Sequence, residues 1–111
     1  MPEITAKLIM DTITEWVQNK RQISANDWIS AAEKLNVLLS FEHDKMVELE
    51  HELNVLRNIV LEGEKKSVAA MEIKIKADPK YVEFRKQELF IKRIDQAIML
   101  SKHHARLVSF T

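Results

Sequence analysis

Cysteine is absent from the chain, and glycine and proline nearly so: Gly63 stands alone, and Pro2 and Pro79 are the two prolines. Without cysteine there are no disulfides, no thiol nucleophile and no thiolate metal site. So few breakers across 111 residues leave little room for the turns and bulges of a β architecture, and an all-α fold is expected. No apolar run approaches the roughly 18 to 20 residues of a membrane span. Lys7 is the one cation before Leu8-Ile9-Met10, and Asp11 follows, so no secretory signal is expected and a cytoplasmic location is. Net charge is also absent, at zero, which removes the global pull toward nucleic acid that a basic chain has.

What is present is apolar and charged in proportions that suit a folded chain, 46% and 31%. The charge is unevenly spread. Residues 1 to 64 hold 12 acidic and 6 basic side chains, net −6, and residues 65 to 111 hold 5 and 11, net +6. The length suits one domain, taken as residues 1 to 111.

The most regular stretch runs from Ser24 to Gly63. Trp28, Ala32, Leu35, Leu39, Glu42, Met46, Leu49, Leu53, Leu56 and Val60 recur in alternating steps of four and three. That period belongs to coiled coils and left-handed bundles. Ser24 with Asp27 three residues on reads as a capping box, with Ile23 and Trp28 placed as its hydrophobic staple. Gly63 is the expected C′ residue, giving a helix over 25–62. Its length would be roughly 55 Å at 1.5 Å per residue, against a width of about 27 Å for a compact chain of this size. Leu39-Ser40-Phe41 is the point where a kink would fall. Glu42 marks that kink or is a charge paired across an interface.

Three further helices are expected. The first, over 3–19, starts at Pro2 and carries Ile4, Leu8, Ile9, Ile13, Trp16 and Val17; Asn19 to Gln22 then form a connection. Residues 64–77 carry Val68, Met71 and Ile75. Asp78-Pro79 ends that segment and starts the last, over 79–109, with Asp78 as N-cap and Pro79 as first helical residue. Its stripe is Phe84, Gln87, Ile91, Ile94, Ile98, Ser101, Ala105 and Val108, widened by Val82, Leu89, Phe90 and Ala97. Phe41, Val47, Val55 and Leu61 widen the earlier stripe, so each band wants more than one partner helix.

These patterns predict an elongated antiparallel helical hairpin with an additional N-terminal helix and coiled-coil-like packing. A homodimer would complete a four-helix bundle. Leu39, Met46, Leu49, Leu53, Leu56, Ile91, Ile94 and Ile98 are the expected seam. Glu42, Asp44, Glu48, Glu50 and Glu52 on one arm would run alongside Lys80, Arg85, Lys86, Lys92 and Arg93 on the other, selecting orientation and partner.

Few groups suggest chemistry. Glu48 and His51 have the Glu-x-x-His spacing of di-iron bundles, but His51 falls about 160° from the seam and should be solvated. His103 and His104 point about 100° apart and cannot clamp one metal; near a helix C-terminus they favour the macrodipole. No Ser sits in a Gly-rich turn, and one glycine cannot build a phosphate loop. No metal, cofactor or enzymatic activity is expected. The Lys80 to Lys86 segment interleaves cations with Tyr81, Val82 and Phe84, and Lys92-Arg93 and Lys102 to Arg106 continue it. That face would follow phosphates, the alternative being that it neutralises the acidic arm.

From Ser67 through Ala77-Asp78-Pro79-Lys80-Tyr81, then Arg85, Leu89, Ile94, Ile98 and Lys102, the order resembles short phage- and prophage-encoded helical proteins. The resemblance implies a small accessory factor acting in the host cytoplasm and transfers no functional residues. The expected function is a non-enzymatic interaction protein, dimeric through its seam, that presents charged faces to a protein partner. A nucleic-acid-binding accessory protein using residues 80–106 is the alternative, and a virion or assembly component a third reading.

Overall fold

A computed structural model describes residues 5–19, 22–64 and 67–109. Among these residues the chain is all-α, with four helices in the order α1 (Ala6–Gln18), α2 (Ala25–Glu64), α3 (Val68–Lys76) and α4 (Pro79–Ser109). They pack as two compact units. One combines Met1–Phe41 with Ile91–Thr111, and the other is Glu42–Phe90. α2 and α4 each contribute a segment to both.

In the first unit α1 begins later than the expected position 3. Thr5 is its N-cap, in extended backbone, and its hydroxyl accepts from the Leu8 N–H at 3.2 Å. A Thr cap satisfies an otherwise orphan donor, which a start at Pro2 would not. Pro2, Ile4, Lys20 and Arg21 lie outside the described residues. Ala6, Ile9 and Ile13 form the buried face of α1, one turn apart. Trp28, Ala31, Ala32 and Leu35 of α2 are buried with Ile91, Ile94, Ile98 and Ala105 of α4. Three of these sites are alanines. Ser101, fully buried, donates to the Ala97 carbonyl at 2.9 Å and so leaves no unpaired hydroxyl in the core.

The second unit is built on Leu53, Met71 and Ile75, with Leu56, Val60, Leu61, Tyr81 and Phe84 packed against them. Here α2 and α4 run antiparallel: Glu42 meets Gln87, while Leu53, further along α2, meets Tyr81 and Phe84, earlier on α4. α3 is shorter than the expected 64–77. It starts where Ser67 caps it, accepting from the Ala70 N–H at 3.3 Å. Asp78 caps α4, its side chain accepting from the Lys80 N–H at 2.9 Å and its carbonyl from Tyr81 at 3.0 Å. Pro79, with no N–H to satisfy, is the first helical residue.

The sequence leaves a kink near Ser40 open and places the helix end at Gly63, and only the second needs correction. Helix α2 is unbroken through Leu39-Ser40-Phe41. The boundary between the two units nevertheless falls at Phe41–Glu42, beside that point. Gly63 does not stop the helix, which carries on through Glu64. A mid-helix glycine costs only about 1 kcal/mol against alanine. Nothing lies within 4 Å of the position a Cβ would take at Gly63, so no close approach demands a glycine there.

Candidate functional site

The apolar stripes of α2 and α4 in the second unit are each interrupted by one polar residue, and the two interruptions meet. Gln87 Nε2 donates to Glu42 Oε2 and to the Glu42 carbonyl, both at 2.8 Å. Lys45, one turn along α2, stands 3.4 Å from the other carboxylate oxygen. The Glu42 side chain is 14% exposed, and its two carboxylate oxygens are met by the Gln87 amide and the Lys45 ammonium. A carboxylate in a seam is costly unless bonded in this way. The same need makes it a register device: sliding either helix by one turn strands both groups among aliphatic side chains. Replacing Gln87 by Leu is expected to cost about 1–3 kcal/mol, and replacing Glu42 and Gln87 both by Leu to recover most of it. Urea unfolding of the three proteins measures the difference.

The remaining seam residues divide by depth. Leu53, Ile91, Ile94 and Ile98 are buried, and Leu39, Met46, Leu49 and Leu56 are half-buried. The residues expected to widen the α2 band behave differently. Leu61 joins the core of the second unit, but Phe41 is 59% exposed, Val47 65% and Val55 45%. Ile59, at 59%, adds to this outward-facing set.

The candidate contact cations all face solvent. Lys80, Arg85 and Lys86 are exposed in the second unit, and Lys92 and Arg93 in the first. In the second unit Val82 and Leu89 stand between these cations, and both are exposed. The acidic side chains Asp44, Glu48, Glu50 and Glu52 are exposed as well. The expected ladder between the two rows does not form. Among the described residues the ion pairs are Lys45–Glu42, Arg57–Glu72 and Arg85–Glu88, and none links an acid of that row to a cation of α4. The physical reason is that aliphatic side chains occupy the facing positions, so the charges lie round the helices from the seam and point to water. Arg57 bridges two elements, from α2 to α3. Its Nε lies 3.3 Å from Glu72 without an aligned hydrogen bond, and its Nη1 donates to Asn54 at 2.9 Å.

Glu48 and His51 are both exposed, and among the described residues no group of His, Asp and Glu is arranged to hold a metal. His103 is exposed, whereas His104 is half-buried in the first unit and stacks on the Trp28 indole. The ring centroids are 4.5 Å apart and the planes 15° from parallel. Trp16 packs edge-on against the same indole, at 5.0 Å and 86°. Sequence position places His104 near the helix terminus and carries no sign of this contact. Beside the aromatics lies an open cleft of about 330 Å³, lined by Leu8, Ile9, Thr12, Trp16, Asp27, Ser30, Ala31 and Lys34.

Comparison with protein-family models, with curated proteins and with solved structures returned no match for this chain. Among the described residues no helix is long and apolar enough to cross a membrane.

Proposed function

We propose that the chain is a non-enzymatic helical interaction protein that engages a protein partner through exposed helix faces, as an accessory factor in a phage or host complex. One observation carries this reading. Large apolar side chains, Phe41 and Val47 among them, stand exposed on α2, while Trp28, Leu35 and Leu53 of the same helix are buried. Exposed apolar residues set among charges mark contact surfaces more often than catalytic ones.

The exposure of Lys80, Arg85, Lys86, Lys92 and Arg93 favours one other reading, in which the cations follow a phosphate backbone. Fluorescence anisotropy with labelled single-stranded and duplex oligonucleotides separates the two. The protein-interaction reading expects no saturable binding at low micromolar concentration in low salt. Binding whose constant falls steeply as salt rises would move the chain to the nucleic-acid class. Replacing Arg85 and Lys86 by Glu is expected to leave the helix content by circular dichroism unchanged and to weaken retention of a protein partner from host extract.

A further inference from the structure

We infer that the outer face of α2 in the second unit is a docking surface for a basic, amphipathic helix of a partner protein. This rests on the reading above and adds the partner's chemistry to it. Asp44, Glu48 and Glu52 recur every four residues, and Val55 and Ile59 follow, again four apart; all five are exposed. At about 100° per residue, they lie roughly 100° to 180° round α2 from Leu53, which is buried. The face therefore looks away from the core of the second unit and consists of an acidic row that runs into an aliphatic pair.

Among the described residues no ion pair engages Asp44, Glu48 or Glu52. Two cations lie on this part of α2, and both have other partners: Lys45 stands 3.4 Å from Glu42, and Arg57 3.3 Å from Glu72 of α3. Three carboxylates without a counter-charge repel anions, which sets nucleic acid and anionic membranes aside at this face. Val55 and Ile59 add an apolar contact that a row of acids bound only by small counterions does not need. Rows at four-residue spacing are the ridges that one helix packs into the grooves of another, so the occupant is a helix. Complementarity then fixes its pattern. Cations four apart meet the acidic row over roughly 12 Å, and aliphatic side chains meet the pair that follows over roughly 6 Å. Because acid and aliphatic are segregated along the axis, the partner docks in one direction.

Fluorescence anisotropy with a labelled synthetic peptide tests this on the full chain. The peptide is helical, with Lys at three positions four apart and then Leu at two, all on one side, and Ala and Gln elsewhere. Its control has the same composition, with Lys and Leu spread round the helix. The chain is expected to bind the first peptide about tenfold more tightly than the second, and less tightly as salt rises. Glu48→Lys with Glu52→Lys is expected to weaken binding about tenfold. Glu50→Lys with Glu83→Lys makes the same change in net charge off this face, and is expected to weaken it less than about twofold. Circular dichroism checks that both variants keep the wild-type helix content. If the first loses helix, Glu48→Gln with Glu52→Gln takes its place, with an expected loss of about threefold. Equal binding of the two peptides, or equal losses in the on-face and off-face variants, would overturn the surface and leave the interaction reading intact. Anisotropy that falls again at chain concentrations where light scattering shows a doubled mass would give the face to a second copy and overturn it as well. Oligonucleotide binding is what would overturn the interaction reading itself.

Discussion

Replacing Leu53 by Asp is expected to unfold the second unit. Leu53 is 1% exposed and packs with Met71 and Ile75, the two residues that anchor α3. Truncating such a leucine to alanine costs about 2–5 kcal/mol through lost burial and the cavity left behind. An aspartate adds the cost of placing a charge at a site whose packed neighbours are hydrophobic side chains. The sum is comparable with the whole stability of a small domain, about 5–15 kcal/mol. α3 has nine residues, too few to persist as an isolated helix, and is lost with its anchor. Far-UV circular dichroism should lose both the cooperative transition and part of its helical signal. The conservative Leu53→Met should stay within about 1.5 kcal/mol of wild type. A Leu53→Asp protein with a wild-type melting curve would mean that this cluster is not the core of the second unit.

Replacing Trp28 by Ala should have an effect of similar size on the first unit. The indole is 4% exposed and makes two ring contacts, edge-on with Trp16 and stacked with His104. Loss of a buried Trp costs about 3–5 kcal/mol, and each aromatic pair adds about 0.5–1.5 kcal/mol beyond area. Trp16 then becomes the only indole and reports its own surroundings. Its emission should shift to the red as the ring that covers one edge is removed. His104→Ala should cost the stacking contribution alone, near 1 kcal/mol. Equal losses for Trp28→Ala and His104→Ala would contradict a cluster centred on the indole.

Much of this architecture is legible in residue order, for identifiable physical reasons. The α2 stripe is readable because its steps of four and three hold for over thirty residues, and every member from Trp28 to Val60 is buried or half-buried. The start of α4 is readable because Asp-Pro combines a side-chain acceptor with a residue that has no N–H to satisfy. The end of α2 misleads because glycine permits a stop without enforcing one. The charge rows mislead for a different reason. Net charge by half-chain carries no angular information, and the angle round the helix decides whether an acid meets a base or meets water. The Glu42–Gln87 bond lies between. Both residues stand out as exceptions in their stripes, yet only the axial offset of two helices, which no local pattern contains, brings them together. His104 was hidden in the same way, as one of two adjacent histidines whose partner lies far off in sequence.

On the proposed reading the outer helix faces serve association, a second copy of the chain included. Light scattering on the wild-type chain across a salt series, with the helical signal followed in the same samples, tests it most directly. The expected mass falls from about twice 13.0 kDa in low salt to 13.0 kDa in high salt while the helical signal stays constant. A mass of 13.0 kDa throughout, or a helical signal that falls together with the mass, would contradict it.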